Sequence, residues 1–452
     1  MKNPISTLTQ KFLPVGKIGF VFGSLIAGEW VLNDLVHIPS SGMALIAAGA
    51  GVWIFSKTSS SSFKAPESVK GWVKRCKSVL NQFEALEDSS VHFQKTSERT
   101  NALQSILSRE EPQSISVIST EGVDLPDIDS IKSATFSSND FNLSLSSSLP
   151  INNETWELPN KIFEKDLIIY YLPVPLRAVD LIWLERLPAD LASWILISIE
   201  DSAQWSNQYK ALQSQLPDRW TNRILKWDKS NEDLRNVLSP VRRCLNQPKR
   251  NIDFTRQRLL SRLHSEWQSD LEILRRQEFR NIQNRSQWLV AGAVFASPVP
   301  STDLLSVAVV NGLMIQEMRG LWSCDIKPEL LNAVARQLAI AALAQGVVEW
   351  SGQALLGVAK LHGGTWLAAG AMQALSAAYM TRVVGTSMAD WMALNNGVTQ
   401  PDLELLKIQA PQLIANAAEK EKVDWSRFVD QSKNWIAEQV SNDSNQIKPK
   451  FS

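Results

Sequence analysis

Two apolar stretches separated by a short polar turn lie near the start of the chain. The first, Ile18–Val36, is interrupted by Glu29 and Asp34, and the second, Ile38–Ser56, carries no charge. Each approaches the length of about 20 apolar residues that a membrane-spanning helix needs. Lysines flank the pair on both sides, which is typical of a hairpin with both ends in the cytoplasm. We expect residues 1–57 to form a membrane hairpin, in preference to a signal peptide or a soluble helical hairpin.

A polar linker with helices, residues 58–112, leads into a region from 113 to 248 in which short apolar runs alternate with helical patterns. Strands that alternate with helices predict a mostly parallel sheet with helices on both faces. The Ser- and Asn-rich segment between the first two runs indicates a loop or an edge hairpin. The strand-like runs are Ser114–Thr120, Asp166–Leu172, Trp194–Glu200 and Asn222–Trp227.

From residue 249 onward the hydrophobic pattern is helical. Residues 249–287 form a long, charged amphipathic segment, which predicts a connecting helix. Residues 288–400 carry largely apolar, alanine-containing helical segments, and residues 401–452 form a polar tail with two more helices. Because charged residues interrupt the apolar segments, we favour a compact helical domain over insertion of this half into a membrane.

Composition narrows the classes of function. Lys plus Arg and Asp plus Glu both number 46, so no net basic field predicts a nucleic-acid partner. The three cysteines and four histidines are scattered and lack the spacing of a metal or redox site, which fits a reducing compartment. We accordingly expect neither a cofactor nor a metal.

The loop after the first predicted strand lacks the residues that hold a nucleoside triphosphate. A phosphate-binding loop of the type G-x-x-x-x-G-K-[ST] needs two glycines, a lysine and a magnesium-binding hydroxyl. In Ser119–Pro126, Ser119 and Asp124 stand at the two glycines. Leu125 stands at the lysine, and Pro126 at the hydroxyl. Asp124 would repel a phosphate and Pro126 has no N–H to donate, so we expect no nucleotide binding through this loop.

Two further landmarks of GTP-binding domains are also altered. The D-x-P-G pattern reads YLPV here, with Tyr171 at the aspartate and Val174 at the glycine. The guanine-reading N-K-x-D pattern reads LKWD, in which Leu225 replaces the asparagine while Lys226 and Asp228 are kept. The landmarks occur in order at predicted strand ends, so this region resembles a degenerate Era-like G domain. An unrelated α/β domain is the alternative.

Two motifs in the C-terminal half form a second resemblance. The first is A-x-P-x-P-x-x-D followed by a helix ending in MIQEM, over residues 296–318, and the second is S-A-A-Y-x-T-R-x-x-G, over residues 376–385. Together they resemble the YcjF-type GTPase-associated domain of unknown function, over about residues 287–396. The resemblance implies a membrane-associated domain that often follows an Era-like GTPase domain, and it implies no reaction.

The first motif has a physical explanation. Pro298 and Pro300 cannot continue the preceding helix, because each lacks an N–H and restricts its predecessor. Ser301 or Thr302 can then cap a new helix, with Asp303 in its positively polarised first turn. A proton or ligand site at Asp303 is the alternative. We take both prolines and Asp303 as structural or interface residues.

Three further charged residues complete the candidate structural or interface positions. Arg382 lies within a largely apolar helical segment, and Glu317 and Arg319 lie near the end of another. An ion pair of Arg382 with Glu317 or Asp303 across the helices is expected, and such buried pairs more often fix geometry than perform chemistry. No residue is a candidate catalytic, cofactor-binding or metal-binding residue.

The combined prediction is a multidomain chain with an N-terminal helical membrane hairpin, an α/β pseudo-GTPase-like domain with mostly parallel sheet, and a C-terminal all-α domain. We expect a membrane-anchored, non-catalytic scaffold or regulatory protein, with most of the chain on the cytoplasmic side. Its partners would be membrane lipid and unknown proteins. The alternatives are a divergent nucleotide-binding, GTPase-like hydrolase and a membrane-inserted transport component.

Overall fold

The computed structural model of the chain forms two compact units, one from Ala65 to Trp267, the α/β unit, and one from Gln268 onward, the helical unit. The described residues are 65–446 except 88, 111, 146–147, 153–155, 173, 199–204, 297–299, 324–334, 336–337, 340, 344, 362–370 and 397–409.

The α/β unit begins with two helices and continues with strands and helices in alternation. The helices are α1 (Val69–Leu86), α2 (Ser89–Leu107), α3 (Ile128–Ala134), α4 (Asn160–Phe163), α5 (Ala178–Arg186), α6 (Trp205–Gln215), α7 (Asn231–Val237) and α8 (Ser239–Leu245), with a 3₁₀ turn at Asp218–Trp220. The strands are β1 (Gln113–Ile118), β2 (Phe141–Leu145), β3 (Leu167–Leu172), β4 (Ala192–Ser198) and β5 (Ile224–Trp227).

The five strands form one parallel sheet in the order β2-β1-β3-β4-β5. The alternation of side chains along a strand divides the core between two faces. In β3, Ile168 and Tyr170 pack with Trp183 of α5 on one face, whereas Leu167 and Ile169 pack on the other face with α3, α7 and α8. The order is one of the common doubly wound arrangements, and it confirms the predicted parallel sheet with helices on both faces.

Strand β2 is the one strand of this sheet that the sequence did not resolve. Its residues, FNLSL, lie inside the Ser- and Asn-rich segment that was interpreted as a loop or an edge hairpin. The segment does form the edge of the sheet, but it pairs in parallel with β1, with Ile115 opposite Leu143. The parallel pairing excludes a hairpin between these two strands, because parallel neighbours need a crossover connection.

Asp166, just before β3, fixes the first turns of the next helix, α9 (Pro248–Ala296), against the sheet. Thr255 of α9 donates to Asp166 over 2.6 Å, and Arg109 forms an ion pair with the same carboxylate at 2.8 Å. The amide of Ser114 donates a third bond over 2.7 Å. The carboxylate is thus buried with its partners, as a buried charge requires.

The helical unit continues from α9 (Pro248–Ala296), a 49-residue helix whose first turns belong to the α/β unit. The expected boundary between a charged helix and an apolar helix at residue 287 is wrong, because α9 continues through it. A change from charged to apolar side chains leaves the backbone hydrogen bonds intact. The other helices are α10 (Pro300–Leu321), α11 (Val347–Leu361), α12 (Ala371–Asn395), α13 (Ala410–Val423) and α14 (Trp425–Gln446).

Helix α12 is the central helix of this unit. Apolar and polar residues alike are buried along its length, including Arg382, Thr386 and Asp390. Gly385 allows a close approach: a Cβ there would lie 3.1 Å from Cε of Met314 in α10 and 3.5 Å from Phe279 in α9. A helix buried on all sides must satisfy its polar side chains internally, and this requirement determines the networks described below.

The predicted fold class is corrected in one part. Among the residues that the structure describes, no helix is long and apolar enough to cross a membrane. The chain therefore has a parallel-sheet α/β unit and a helical unit, and the expected membrane hairpin is not part of the fold class. Residues 1–57, on which the hairpin was predicted, lie outside the described residues. Membrane lipid as a partner and a cytoplasmic location stay predictions.

Candidate functional site

The carboxyl edge of the sheet between β1 and β3 is the place where a ligand would be expected. In doubly wound sheets, ligands bind outside the carboxyl ends of the strands, where the strand order reverses. Here β1 lies between β2 and β3, so the reversal falls between β1 and β3. The loop Ser119–Asp127 after β1 and the segment Val174–Arg177 after β3 lie at this edge, which we call the switch-point edge.

Part of the backbone of the loop after β1 is hydrogen-bonded within the protein. The amide of Glu121 donates to the carbonyl of Leu149 over 2.8 Å, and the amide of Leu149 donates to the carbonyl of Ser119 over 2.8 Å. These bonds form a parallel bridge between Thr120 and Leu149. The hydroxyl of Ser119 donates to the carbonyl of Tyr171 at the end of β3, over 2.8 Å. A phosphate-binding loop needs free amides, and the amide of Glu121 is already engaged.

The helix that follows this loop has its N-terminus capped by a carboxylate. Asp127 accepts hydrogen bonds from the amide and the hydroxyl of Ser130, both over 2.9 Å. These bonds, the one from the amide first, lower the pKa of Asp127. In a phosphate-binding loop the helix N-terminus faces the anion. In α3 an internal anion already occupies that position.

A buried carboxylate fills the space between the ends of β1 and β3. Asp180 in α5 is fully buried, and its Oδ1 accepts from the hydroxyl of Thr120 over 2.9 Å and from that of Tyr170 over 2.8 Å. Arg177 donates from Nε to Asp180 Oδ2 over 2.9 Å and also contacts the Thr120 hydroxyl. Burial, followed by the charge of Asp180, raises the pKa of Tyr170. Asp180 is thus neutralised by Arg177 and satisfied by two hydroxyls.

The other two altered landmarks have internal roles as well. Tyr171, at the aspartate of the D-x-P-G pattern, packs in the core and donates its hydroxyl to Ser198 over 2.8 Å. Asp228, the surviving acid of the guanine-reading pattern, accepts from the amide of Ser230 over 2.8 Å. Hydrogen bonds from Ser230 lower the pKa of Asp228. Its carboxylate stabilises the turn before α7 and is exposed.

The A-x-P-x-P-x-x-D motif marks a helix start, though not at the predicted residue. Helix α10 begins at Pro300, so Ser301 and Thr302 lie inside it instead of capping it. Proline is well suited to the first helical position, because its missing N–H has no partner there in any case. Asp303 lies in the first turn, as expected from the sequence. Pro298 lies outside the described residues.

The predicted partners of Arg382 are replaced by another residue. Glu317, an expected partner, pairs instead with Arg285 of α9 in a half-exposed contact. Arg319 lies in the last turn of α10 and is partly buried. Arg382 itself is buried and donates from Nε to Glu421 of α13 over 2.6 Å. The expected pairing of Arg382 with Glu317 is therefore wrong.

The Arg382–Glu421 pair is the centre of a buried polar network. Thr386 donates to Glu421 over 2.7 Å, and Gln283 of α9 donates to Thr386 over 2.9 Å and to the carbonyl of Arg382 over 3.0 Å. Arg382 also donates to Gln287 over 3.2 Å. One network thus joins three helices, α9, α12 and α13, and uses most of the polar atoms that the pair brings into the core.

A second network, which was not predicted, lies two turns further along α12. Asp390 is buried between Arg276 of α9, at 2.8 Å, and Lys420 of α13, at 3.0 Å. Arg276 also pairs with Glu272 at 2.6 Å, and Glu272 accepts from the indole of Trp322 over 2.9 Å. The spacing of Arg382, Thr386 and Asp390 by four residues places all three on one face of α12, which is the only sequence signal for both networks.

The described residues do not suggest metal or thiol chemistry. No group of three or more His, Cys, Asp or Glu side chains within them is placed to hold a metal ion. Burial raises the pKa of the Cys76 thiol to about 12 and also raises that of Cys244. A thiol is nucleophilic as the thiolate, so neither cysteine is activated at neutral pH.

One comparison with known proteins gives a match, and it covers part of the chain. Comparisons with curated proteins and with solved structures gave no match. Residues 258–419 match a family described as a domain of unknown function, DUF697. The matched range includes most of α9 and the helices α10 to α12, and it ends within α13, before Glu421. Residues 258–419 of this chain are therefore similar to the DUF697 family.

Proposed function

We propose that the protein is a non-catalytic scaffold or regulatory protein, in which a pseudo-GTPase-like α/β unit and a DUF697 helical unit act through contacts with other proteins. The proposal rests on one observation: at the switch-point edge, a backbone amide of the loop after β1 and the N-terminus of the following helix are hydrogen-bonded within the protein. The Glu121 amide donates to the carbonyl of Leu149, and the carboxylate of Asp127 caps the N-terminus of α3.

At this edge the charges oppose nucleotide binding, as the internal hydrogen bonds do. Arg177 lies in the segment after β3 at this edge, and its guanidinium is paired with Asp180, a fully buried acid. A triphosphate would have to displace this ion pair and then leave Asp180 buried without its counter-charge. Removing one partner of a buried pair costs about 3–5 kcal/mol, so binding would be opposed.

Equilibrium binding of nucleotide to the full chain tests the proposal. We expect no binding of GTP, GDP or ATP with magnesium at nucleotide concentrations up to about 1 mM. A dissociation constant above this concentration corresponds to a binding free energy weaker than about 4 kcal/mol. The variant Asp127→Ser is the matched control, because serine keeps a cap while it removes the charge. If this variant does not bind nucleotide either, the repulsion by Asp127 is not the only obstacle, and the hydrogen-bonded backbone of the loop also prevents nucleotide binding. Magnesium-dependent binding to the unsubstituted chain favours the divergent hydrolase and contradicts the proposal.

Purification from the native cells tests the part of the proposal that concerns partners. We expect the full chain to co-purify with a protein partner in stoichiometric amount in buffer without nucleotide. The amount recovered should not change when GTP and magnesium are added. Recovery of the chain alone, or release of the partner by nucleotide, contradicts action through nucleotide-independent contacts.

A further inference from the structure

Helix α1 packs one face into the α/β unit and turns the opposite face away from it. Trp72, Cys76, Val79 and Phe83 are buried along the first face. The ring of Trp72 meets that of His264 in α9 edge to face, with centroids 5.6 Å apart. The apolar face of α1 is therefore already packed within the protein, so a partner of α1 would have to bind the opposite face.

The opposite face of α1 carries positive charge. Lys70, Lys74 and Lys77 are exposed, and their spacing by four and three residues places them on one side of the helix. A helix rises 1.5 Å per residue, so the three lysines lie within about 10 Å along its axis. No aspartate or glutamate occurs from Val69 to Phe83. We call the side of α1 that carries these three lysines the basic face.

The charge of the basic face is not neutralised within the described part of the chain. None of its three lysines forms an ion pair there. An open recess along this face is lined, among the described residues, by the three lysines and by Val73, Ser78 and Asn81, so no described acid lies on it. Glu67 and Glu84 are the nearest acids along the chain, and they lie beyond its two ends. Like charges at this spacing on a helix repel one another, so an anionic partner would stabilise the face.

We propose that the basic face of α1 binds the anionic surface of a lipid membrane. A straight helix with lysines along one side matches a plane of phosphate groups, because each flexible lysine reaches a separate headgroup as a point charge. Each lysine near such a surface strengthens binding about fivefold. The contact is one of charge alone, since the apolar face of α1 is packed in the protein, and it needs no membrane-spanning helix.

A nucleic acid is the other extended polyanion, and the basic face fits it less well. Proteins that bind single strands stack bases on exposed aromatic rings, and those that read duplexes use the planar fork of arginine. The residues that line the recess include neither an aromatic ring nor an arginine. The chain as a whole also has no excess of positive charge, with 46 basic and 46 acidic residues. The membrane surface is therefore the better match, and this proposal does not depend on the proposed function.

Acetylation of lysines in the full, unsubstituted chain tests where the membrane binds. The chain is treated briefly with an amine-reactive reagent in the presence of vesicles, and mass spectrometry measures the acetylation of each lysine. The vesicles contain phosphatidylcholine alone or with about 30% phosphatidylglycerol. We expect the anionic vesicles to reduce acetylation of the three lysines of the basic face about fivefold. Lys132, Lys161 and Lys210, which are exposed on α3, α4 and α6, are the internal controls and should not change. Equal acetylation of the basic face with both kinds of vesicle overturns the proposal.

A triple variant tests whether the three charges cause the binding. Lys70→Gln, Lys74→Gln and Lys77→Gln together remove the charges and keep good helix formers. The measured quantity is the ratio of binding to anionic and to neutral vesicles, which cancels any binding that is independent of lipid charge. We expect this ratio to fall roughly 100-fold, from the loss of three lysines.

The matched control removes the same number of charges elsewhere in the α/β unit. Lys132→Gln, Lys161→Gln and Lys210→Gln together should change the ratio less than about twofold, since charges away from the contact are screened. An equal fall for both triple variants would show an effect of net charge alone and would contradict the proposal. Protection of the basic face from acetylation by a duplex oligonucleotide or by inorganic phosphate, without protection by vesicles, would contradict it too.

Discussion

The guanidinium of Arg382 and the carboxylate of Glu421 form a buried ion pair, with Nε and Oε2 2.6 Å apart. Their side chains are 6% and 8% exposed, and they connect the central helix α12 to α13. Glu421 lies beyond the end of the range that matches DUF697, residues 258–419. The helical unit of this chain thus relies on a carboxylate from outside the matched domain to neutralise a charge inside it.

Removal of this carboxylate should destabilise the helical unit strongly. We expect Glu421→Ala to lower the free energy of unfolding by about 3–5 kcal/mol, because it leaves Arg382 buried without a counter-charge. Urea unfolding of the full chain, followed by tryptophan fluorescence, measures the change. The double variant Arg382→Met with Glu421→Leu should recover most of the loss, since it removes both charges.

The half-exposed pair Arg285–Glu317 offers the matched control. Because solvent screens this pair, Arg285→Ala should change the free energy of unfolding by less than about 1 kcal/mol. Equal effects of Glu421→Ala and Arg285→Ala would show that the Arg382–Glu421 pair is not the buried pair described above.

Both the charge of Asp180 and the hydrogen bonds that it accepts should stabilise the switch-point edge. Asp180→Ala leaves the hydroxyls of Thr120 and Tyr170 without their common acceptor. Each unsatisfied buried hydroxyl costs about 1–3 kcal/mol, so we expect a loss of about 2–6 kcal/mol, to which the partly exposed Arg177 adds little. Asp180→Asn keeps an acceptor for the hydroxyls and should cost less. Thermal unfolding of the three proteins gives this order. The same melting temperature for both variants would contradict a role for the two hydroxyl bonds.

Much of the fold follows from the sequence, for identifiable physical reasons. The strands β1, β3, β4 and β5 were predicted, because buried parallel strands read as short apolar runs between helical patterns. Strand β2 was missed, because an edge strand needs few apolar residues and FNLSL is surrounded by serine and asparagine.

The polar networks were harder to predict, because each partner is distant along the chain. Arg382 was identified as a buried charge from its apolar surroundings. Its partner Glu421 lies 39 residues away in a segment that reads as a polar tail, so the pattern gave no reason to choose it over Glu317. Which carboxylate meets which guanidinium is determined by helix packing, and a single sequence does not give that information.

Stability should fall at alkaline pH through Tyr170. Burial and the charge of Asp180 raise the pKa of its phenol in the folded chain above the ordinary value of 10.0. The folded state therefore holds this proton more tightly than the unfolded state. The contribution is complete below pH 10 and is lost as pH rises from there towards the folded pKa.

Unfolding at several pH values between about 8 and 11 measures this loss, and Tyr170→Phe is the comparison. We expect the free energy of unfolding of the unsubstituted chain to fall more steeply above pH 10 than that of Tyr170→Phe. If the free energy of unfolding of the two proteins falls equally with pH, ionisation of Tyr170 is not the cause of the loss.

The close contact at Gly385 should limit side-chain size. A Cβ there would lie 3.1 Å from Cε of Met314, the flexible end of its side chain, so Gly385→Ala should be tolerated with a small change. Gly385→Leu would push α12 away from α9 and α10, and overpacking of this kind costs about 1–3 kcal/mol. Urea unfolding measures both variants, and an equal cost for alanine and leucine would argue against a tight contact.

Hydrogen exchange at the loop Ser119–Asp127 tests the central claim most directly. The Glu121 amide donates to Leu149 in the protein without ligand, so its exchange with deuterium should be slow from the start. Addition of GTP and magnesium at about 1 mM should leave the exchange of this amide unchanged, since it already donates to the carbonyl of Leu149. Fast exchange without nucleotide, followed by strong protection when GTP and magnesium are added, would contradict the account.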